Sequence, residues 1–500
     1  MSQLSKLQNG SDIRGVAIQT ETHEATLTRE GVENIALGIV KWLRERKGLD
    51  APRLNVAIGH DGRLSGEELK QGLIEGFMSE GAHVYDTGLS TTPAMFMSTQ
   101  FADIQADVGI MITASHLPYF YNGIKVFTKT GGAEHEDIAF ILENSNREIN
   151  PSMKNGVVET NDLMSLYAAD MVGKIRANTG MQEPLKGSHI VLDAGNGAGG
   201  FFASLVLEPL GAQTKGSQFL ESDGHFPNHM PNPDNKEAMA SIQQAVLEQG
   251  ADLGVIFDTD VDRAAVVDGS GMVINRNNLI AVLASMVLEE QPGSTIVTNS
   301  PTSSHLKTFI EEMGGKQYRY LCGYRNVINQ AIKMNEEGIE TPLAIETSGH
   351  AAFKENYFLD DGAYVIAKIL MLFPRLKKQN KTLTDVIHQL KQPAETKELR
   401  FPIVADDYQE EGYRIISALE TFTETVDGWE VDQDNYEGVR LNVGGPFGSG
   451  WLLLRLSLHE PLLVLQIEND IAGKTEDNLR RLGAFFEPFE WIDSALLPTE

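Results

Sequence analysis

Two short polar stretches carry the residues most able to do chemistry. Ser115 stands beside His116 within ITASHLPYFYNGIKVF (112 to 127), and Asp258, Asp260 and Asp262 alternate within DTDVDR (258 to 263). A serine followed by histidine is, as a bare dipeptide, an ordinary surface loop. The aspartates are more telling. Three carboxylates at this spacing after the apolar run ADLGVIF, with Arg263 following, suit a hard oxygen-seeking cation such as Mg²⁺; the alternative is a solvated acidic turn.

The elements around these stretches set them at strand ends. DVGIMIT (107 to 113) reads as a short buried strand, so Ser115 falls just past its C-terminal end, where open α/β sheets keep binding and catalytic groups. A helix over 30–47, the strand before GHDGRLSG (59 to 66), a helix over EELKQGLIEGFMSEG, the strand AHVYD and a helix near 134–148 complete a first unit of alternating strands and helices. A second unit has a helix near 160–177, the strand HIVLD, a helix near 236–249 and the strand ADLGVIF, which closely resembles ADVGIMI. Its glycine-rich turn AGNGAGG (194 to 200) lacks dinucleotide or P-loop spacing and reads as close helix-on-strand packing rather than a phosphate cradle. A third unit runs through TIVTN, a helix near 303–313, QYRYL, the turn CGYR and PLAIE, and ends in TSGH (347 to 350). Three units thus each end a strand in a polar loop, a degenerate internal repeat. After the helix DDGAYVIAKILMLFPRL, a polar break and the proline of KQPAETK mark a linker. The last hundred residues, strands separated by turns with helices near 406–420 and 475–487, are α+β. The expected domains are 1–155, 156–270, 271–395 and 396–500. The fold class is α/β: three successive similar α/β domains with mixed, mostly parallel sheets, plus a C-terminal α+β domain.

Composition narrows the functions. At 500 residues, 41% hydrophobic and 22% charged, the chain is an ordinary globular one. A formal net charge of −29 disfavours nucleic acid and anionic membrane surfaces as partners. Cys322 is the single cysteine, so an internal disulfide is excluded and a reducing compartment fits. The N-terminus shows no apolar signal region and no run approaches a membrane span, so the expected localisation is cytoplasmic.

Taken together, TASHLPYFYNGIK, DTDVDR, ETSGH and DDGAY, in this order and spacing, resemble the α-D-phosphohexomutase family of phosphoglucomutases and phosphomannomutases. SDIRG (11 to 15), GHDGRLSG, VLDAGNGAGG and DGHFPNHMPNPD support the resemblance, which spans nearly the whole chain. It implies four domains round a central active-site cleft. Ser115 would be a phosphoserine that donates its phosphoryl group to a hexose monophosphate, and the resulting hexose 1,6-bisphosphate would return the other phosphate. Mg²⁺ would be held by Asp258, Asp260, Asp262 and a phosphate oxygen on Ser115, with Arg14, Lys125 and Arg263 adding positive charge. His116 is the candidate acid/base helper, the alternative being a structural histidine. Glu346 and Ser348 match positions that hydrogen-bond sugar hydroxyls, with His350 beside them and Arg325 of CGYR in the substrate-binding set; a helix cap is the plainer reading of Glu346. Sugar phosphates are the expected partners, a hexose 1,6-bisphosphate the expected activator, and monomer or dimer the expected state.

The chain departs from the family where the non-reacting phosphate binds. That loop usually reads RPSGTEP and here reads RLSLHEP: Arg455 and Ser457 survive, leucines replace proline and glycine, and His459 stands where a threonine is usual. GGPFGSG (444 to 450) reads as an insertion beside it, able to offer phosphate-facing amides. Asn299 and Ser300 stand where many relatives place a lysine, and Thr259 and Val261 replace glycines between the aspartates. Two alternatives follow: a glucose-1,6-bisphosphate synthase that releases the bisphosphate and is rephosphorylated by a donor such as fructose 1,6-bisphosphate, or a catalytically silent sugar-phosphate sensor.

Overall fold

In the computed structural model the described residues are 3–145, 156–457, 460–492 and 497. Residues 146–148 of the expected helix near 134–148, and the expected boundary at 155, lie outside them. The chain divides into two compact units, residues 1–279 with 348–385, and residues 280–347 with 386–500.

The first unit contains a mixed sheet whose parallel centre sets His83–Leu89, Asn55–His60 and Val108–Ile112 side by side. Such strands are covered on both faces and therefore read as continuous apolar runs. Val56, Ile58, Val84, Val108 and Ile110 are fully buried with Trp42 of the helix Arg29–Glu45 and Phe77 of the helix Gly66–Ser79. Each such side chain contributes about 1.5–3 kcal/mol. Thr28 caps the first of these helices by accepting from the Gly31 amide. Beyond Val108–Ile112 the chain reverses: Tyr121–Thr128 pairs with it antiparallel, and Asp12–Val16 pairs antiparallel with Tyr121–Thr128. The serine loop is therefore the connection of a hairpin.

The second sheet repeats this reversal. Ile190–Asp193 runs parallel to Leu253–Phe257, and Ala264–Asp268 returns antiparallel to it, making the aspartate loop another hairpin connection. A short hairpin, Ala351–Phe353 with Leu359–Asp360, follows TSGH. It leads into the helix Gly362–Lys378, whose N-cap Asp361 accepts from the Tyr364 amide at 2.8 Å and from the Tyr167 hydroxyl at 2.6 Å.

In the second unit Lys316–Tyr320, Thr295–Asn299 and Leu343–Ile345 lie parallel in that order, with helices Ser304–Glu312 and Tyr324–Glu336. Its C-terminal sheet is wholly antiparallel, ordered Glu395–Pro402, Leu462–Asn469, Gly450–Leu456, Val439–Val443 and Trp429–Val431. The helices Tyr408–Thr423 and Lys474–Phe486 pack on it around Leu441, Leu452, Leu454, Leu465, Ile467 and Phe486.

Candidate active site

Ser115 occupies a backbone conformation that few non-glycine residues adopt, with φ +49°. Such outliers persist where their surroundings over-determine them. Here the Ser115 amide donates to Thr113 Oγ1 at 2.8 Å, and Arg14, paired with Asp12, donates from Nη1 to the Thr113 carbonyl at 3.0 Å. The buried Ser115 Oγ donates to Asp258 Oδ2 at 3.3 Å, accepts from Arg263 Nη2 at 3.3 Å, and lies 3.3 Å from His116 Nδ1. Arg263 Nη2 also donates to His116 Nδ1 at 2.9 Å, and Arg263 with burial pushes the pKa of this ring well below its usual value, so it stays neutral.

The aspartate loop is tightly wound. Val261 takes φ +67°, a left-handed conformation that a β-branched residue enters at a cost of about 1–2 kcal/mol. The Gly362 amide donates to the Val261 carbonyl at 3.1 Å and holds the turn. The glycine-rich turn after HIVLD presses on the same loop: a Cβ on Gly197 would lie 2.6 Å from the Thr259 carbonyl oxygen, and the Ala198 amide donates to that oxygen at 2.8 Å. Close packing is thus the role of AGNGAGG.

This winding gathers oxygens of Asp258, Asp260 and Asp262 within 4.8 Å of one another, all fully buried. Asp258 receives the Arg263 amide at 3.2 Å and Arg263 Nε at 3.1 Å. Asp260 Oδ2 accepts from Thr92 Oγ1, and the Asp260 carbonyl accepts the Thr92 amide at 2.9 Å. Asp262 Oδ2 accepts from Lys125 Nζ at 2.6 Å. Burial and the Asp262 charge push Asp258 upward; against its own burial, Asp262 is held ionised by Lys125, His350 and Arg263. Among the described residues, Asp260 Oδ1 and Asp262 Oδ1 are buried without a hydrogen-bond partner. An oxygen-only set with two orphaned carboxylate oxygens could hold a hard divalent cation.

His350 adjoins this group. Its Nδ1 lies 2.6 Å from Asp360 Oδ2 and 3.9 Å from Asp262 Oδ1. Burial opposes its charge, yet the Asp360 and Asp262 carboxylates raise its pKa to about 9. Ser348 opens the same loop. The first unit therefore brings together Ser115, His116, Lys125, Asp258, Asp260, Asp262, Arg263 and His350, with Arg14 supporting the strand end behind Ser115. Sequence reading missed Thr92, Asp360 and Asn232, whose Oδ1 accepts from Arg263 Nη1 at 3.3 Å. Asp360 and Asn232 sit inside quoted motifs, DDGAY and DGHFPNHMPNPD, and that was the available signal.

Glu346, Arg325, Arg455 and Ser457 belong to the second unit. Glu346 Oε1 accepts the Gly323 amide at 2.7 Å, just before the helix whose first turn carries Arg325. Arg455 is the last residue but one of the strand Gly450–Leu456. Among the described residues its guanidinium makes one long bond, Nη1 to the Leu456 carbonyl at 3.4 Å, and faces Glu437 at 3.9 Å. Glu437 is itself fixed, Oε2 accepting from the Ser300 hydroxyl and from the Cys322 amide at 3.1 Å. Asn299 holds Thr347 through two bonds of 3.1 Å. The Ser457 amide closes onto the Leu462 carbonyl at 2.9 Å, and His459 lies outside the described residues. One expectation is corrected. GGPFGSG lies at the start of Gly450–Leu456 and Arg455 near its end, with the whole strand between them. Its Gly445, at φ +56°, and Gly448, at φ +96°, form a turn on which Phe447 packs against Trp429 and accepts from Asn469.

Comparison with known proteins agrees with this geometry. Three family models match in chain order: phosphoglucomutase/phosphomannomutase alpha/beta/alpha domain I over residues 5–151, domain II over 166–271 and domain III over 275–393. A phosphomannomutase/phosphoglucomutase of Pseudomonas syringae pv. tomato is 33% identical over 433 residues, 86% of each chain. That of Pseudomonas aeruginosa strain PAO1 is 32% identical over 445 residues, 88% of each. The crystal structure of a phosphoglucomutase/phosphomannomutase family protein from Burkholderia thailandensis superposes with a TM-score of 0.76 at 26% identity, covering 97% of this chain and 98% of that one. No helix among the described residues is long and apolar enough to cross a membrane.

Proposed function

Because the chain belongs to the phosphoglucomutase/phosphomannomutase family, we propose that it interconverts hexose 1-phosphate and hexose 6-phosphate, of glucose, mannose or both, through a phosphoserine at Ser115. The observation that carries this is the convergence on one hydroxyl: Asp258, Arg263 and His116 all meet Ser115 Oγ at 3.3 Å. In the forward half-reaction the bond between phosphorus and Ser115 Oγ breaks as a bond to the sugar hydroxyl oxygen forms. A hexose 1,6-bisphosphate results, which turns over and returns its other phosphoryl group to Ser115.

Phosphoryl transfer asks the protein mainly for position and positive charge. Arg263, buried and bonded to both Ser115 and His116, supplies charge next to the transferred group. His116, kept neutral, has its one acceptor, Nδ1, engaged by Arg263 beside the reacting hydroxyl, and would take the hydroxyl proton by exchanging that bond; its weak basicity suits a loose transition state in which the proton leaves late. Lys125 and Arg14 hold Asp262 and the strand end in place. Mg²⁺ is the cation that Asp258, Asp260 and Asp262 fit, and when bound it supplies neutralisation of phosphoryl oxygen charge. Glu346 and Ser348 would receive the sugar hydroxyls, and Arg455 and Ser457 the distal phosphate.

A second reading draws on Arg455. Its guanidinium already faces a carboxylate that Ser300 and Cys322 lock in place, which weakens its pull on a phosphate. A bisphosphate held loosely at that end would leave before turning over, and the enzyme would then be a hexose 1,6-bisphosphate synthase. A product-resolved assay separates the two. Conversion of glucose 1-phosphate or mannose 1-phosphate to the 6-phosphate, without net bisphosphate accumulation and abolished by EDTA, supports the mutase. Net bisphosphate release with fructose 1,6-bisphosphate as donor supports the synthase. Neither product from any hexose phosphate overturns both and leaves the sensor.

A further inference from the structure

The motif GHDGRLSG has no part in the chemistry above, yet its arginine donates four hydrogen bonds to the serine loop. Arg63 is only 2% exposed. Its Nη2 donates to the Ser115 carbonyl at 2.5 Å and the Leu117 carbonyl at 2.6 Å, and its Nη1 to the Pro118 carbonyl at 2.9 Å and the Tyr121 carbonyl at 3.0 Å. The guanidinium also forms an ion pair with Asp61, Nε lying 3.4 Å from Oδ2, and the Arg63 amide donates to Asp61 Oδ1 at 3.0 Å. Four of the five donors of one planar fork are thus committed to a single loop.

The same network reaches Ser115 from its other side. Asp61 Oδ2 accepts from Thr113 Oγ1 at 2.6 Å, and Thr113 Oγ1 accepts the Ser115 amide at 2.8 Å. Ser115 is therefore fixed at both ends, its amide by Thr113 and its carbonyl by Arg63, and Asp61 ties the two holds together. This is what a residue at φ +49° needs, because left alone it would relax and swing its hydroxyl away. Drawing four carbonyls onto one guanidinium also keeps those electron-rich oxygens occupied rather than facing an incoming phosphate.

We infer that Arg63 is the positioning residue for Ser115, holding the hydroxyl in the geometry that phosphoryl transfer requires without itself touching substrate. The inference rests on the reading of Ser115 as phosphoryl carrier. A lysine keeps the charge opposite Asp61 but radiates three donors from one nitrogen and cannot span four carbonyls.

The test is Arg63→Lys in the full chain with Mg²⁺. Two quantities are read: the rate at which glucose 1,6-bisphosphate phosphorylates Ser115, by intact mass, and the affinity for glucose 1-phosphate, by calorimetry. Misplacing a reacting atom by about 1 Å costs about a hundredfold in rate, so the transfer rate falls by about that factor while affinity moves less than about threefold. A merely structural role would move neither, or both by the same factor. A rate within about threefold of native, or equal losses in rate and affinity, overturns the inference. Should Arg63→Lys fail to fold, Thr113→Val, which keeps the side-chain volume and cuts the other hold, is judged by the same two numbers. If the native protein never becomes phosphorylated, it is the reading of Ser115 that fails; if it does and Arg63→Lys is as fast, only the role of Arg63 fails.

Discussion

Replacing Glu437 by glutamine should tighten the grip of the protein on phosphate. Glutamine keeps the shape of the side chain and an oxygen that accepts from Ser300 and the Cys322 amide, and it removes one negative charge facing Arg455. The two side chains are 14% and 10% exposed and stand 3.9 Å apart. At that separation unit charges attract by about 4 kcal/mol for an effective dielectric of about 20. A phosphate arriving at Arg455 works against that attraction and against repulsion from the carboxylate. Residual hydration and the partial retreat of Glu437 reduce the net penalty to about 1–2 kcal/mol, a factor of about ten in Kd. Calorimetric titration of glucose 1,6-bisphosphate into native protein and Glu437→Gln reads this directly, at low and high salt. The expected result is about tenfold tighter binding at low salt, with less bisphosphate released per turnover. Unchanged affinity would refute the claim that Glu437 competes with phosphate at Arg455, and weaker binding would show that the carboxylate serves to orient the arginine.

Four further outcomes follow from the first unit. Because His350 is raised to about 9 in the fold, the stability it contributes is complete below about pH 6.5 and lost as pH rises through about 9. In EDTA-treated protein this is about 3 kcal/mol, and urea unfolding at the two ends of that range should show it in native protein and much less in Asp360→Asn; equal pH slopes would contradict the pairing. Asp260→Asn should raise the Mg²⁺ needed for half-maximal activity by about tenfold or more, while the EDTA-treated variant melts at or above the native temperature, since it relieves repulsion among buried carboxylates. Gly362→Ala would put a Cβ 2.7 Å from the Arg263 carbonyl carbon and 2.8 Å from its oxygen, costing more than about 2 kcal/mol and most of the activity; Gly173→Ala, mid-helix with nothing within 4 Å, should instead stabilise by about 0.5–1 kcal/mol.

Much of this site is visible in the sequence because strand ends announce themselves. DVGIMIT and ADLGVIF are uniform apolar runs, each stopped by polar residues, and the loops after them carry Ser115 and the aspartates as expected. The return strands are harder to see. YNGIKVFT is buried over seven of its eight residues and AAVVD over all five, so neither shows the polar and apolar alternation that marks a half-exposed antiparallel strand. Their direction comes from pairing, which periodicity does not carry. Long-range partners are hidden for the same reason: Thr92 and Asp260 are 168 positions apart, and only the fold brings them together. Val261 shows what a sequence departure can conceal, since a residue read simply as replacing glycine proves to occupy a conformation glycine favours. GGPFGSG misleads in the opposite way. Closeness in sequence to RLSLHEP suggested closeness in space, but an extended strand of seven residues separates its ends by about 20 Å.

The central claim is that Ser115 carries the phosphoryl group, and intact-mass measurement after incubation with glucose 1,6-bisphosphate and Mg²⁺ tests it most directly. Native protein should gain one phosphate, map it to Ser115, and lose it on addition of glucose 1-phosphate, while Ser115→Ala gains none. A phosphate that appears equally on Ser115→Ala, or a native protein that stays unmodified while still converting hexose phosphates, would contradict it.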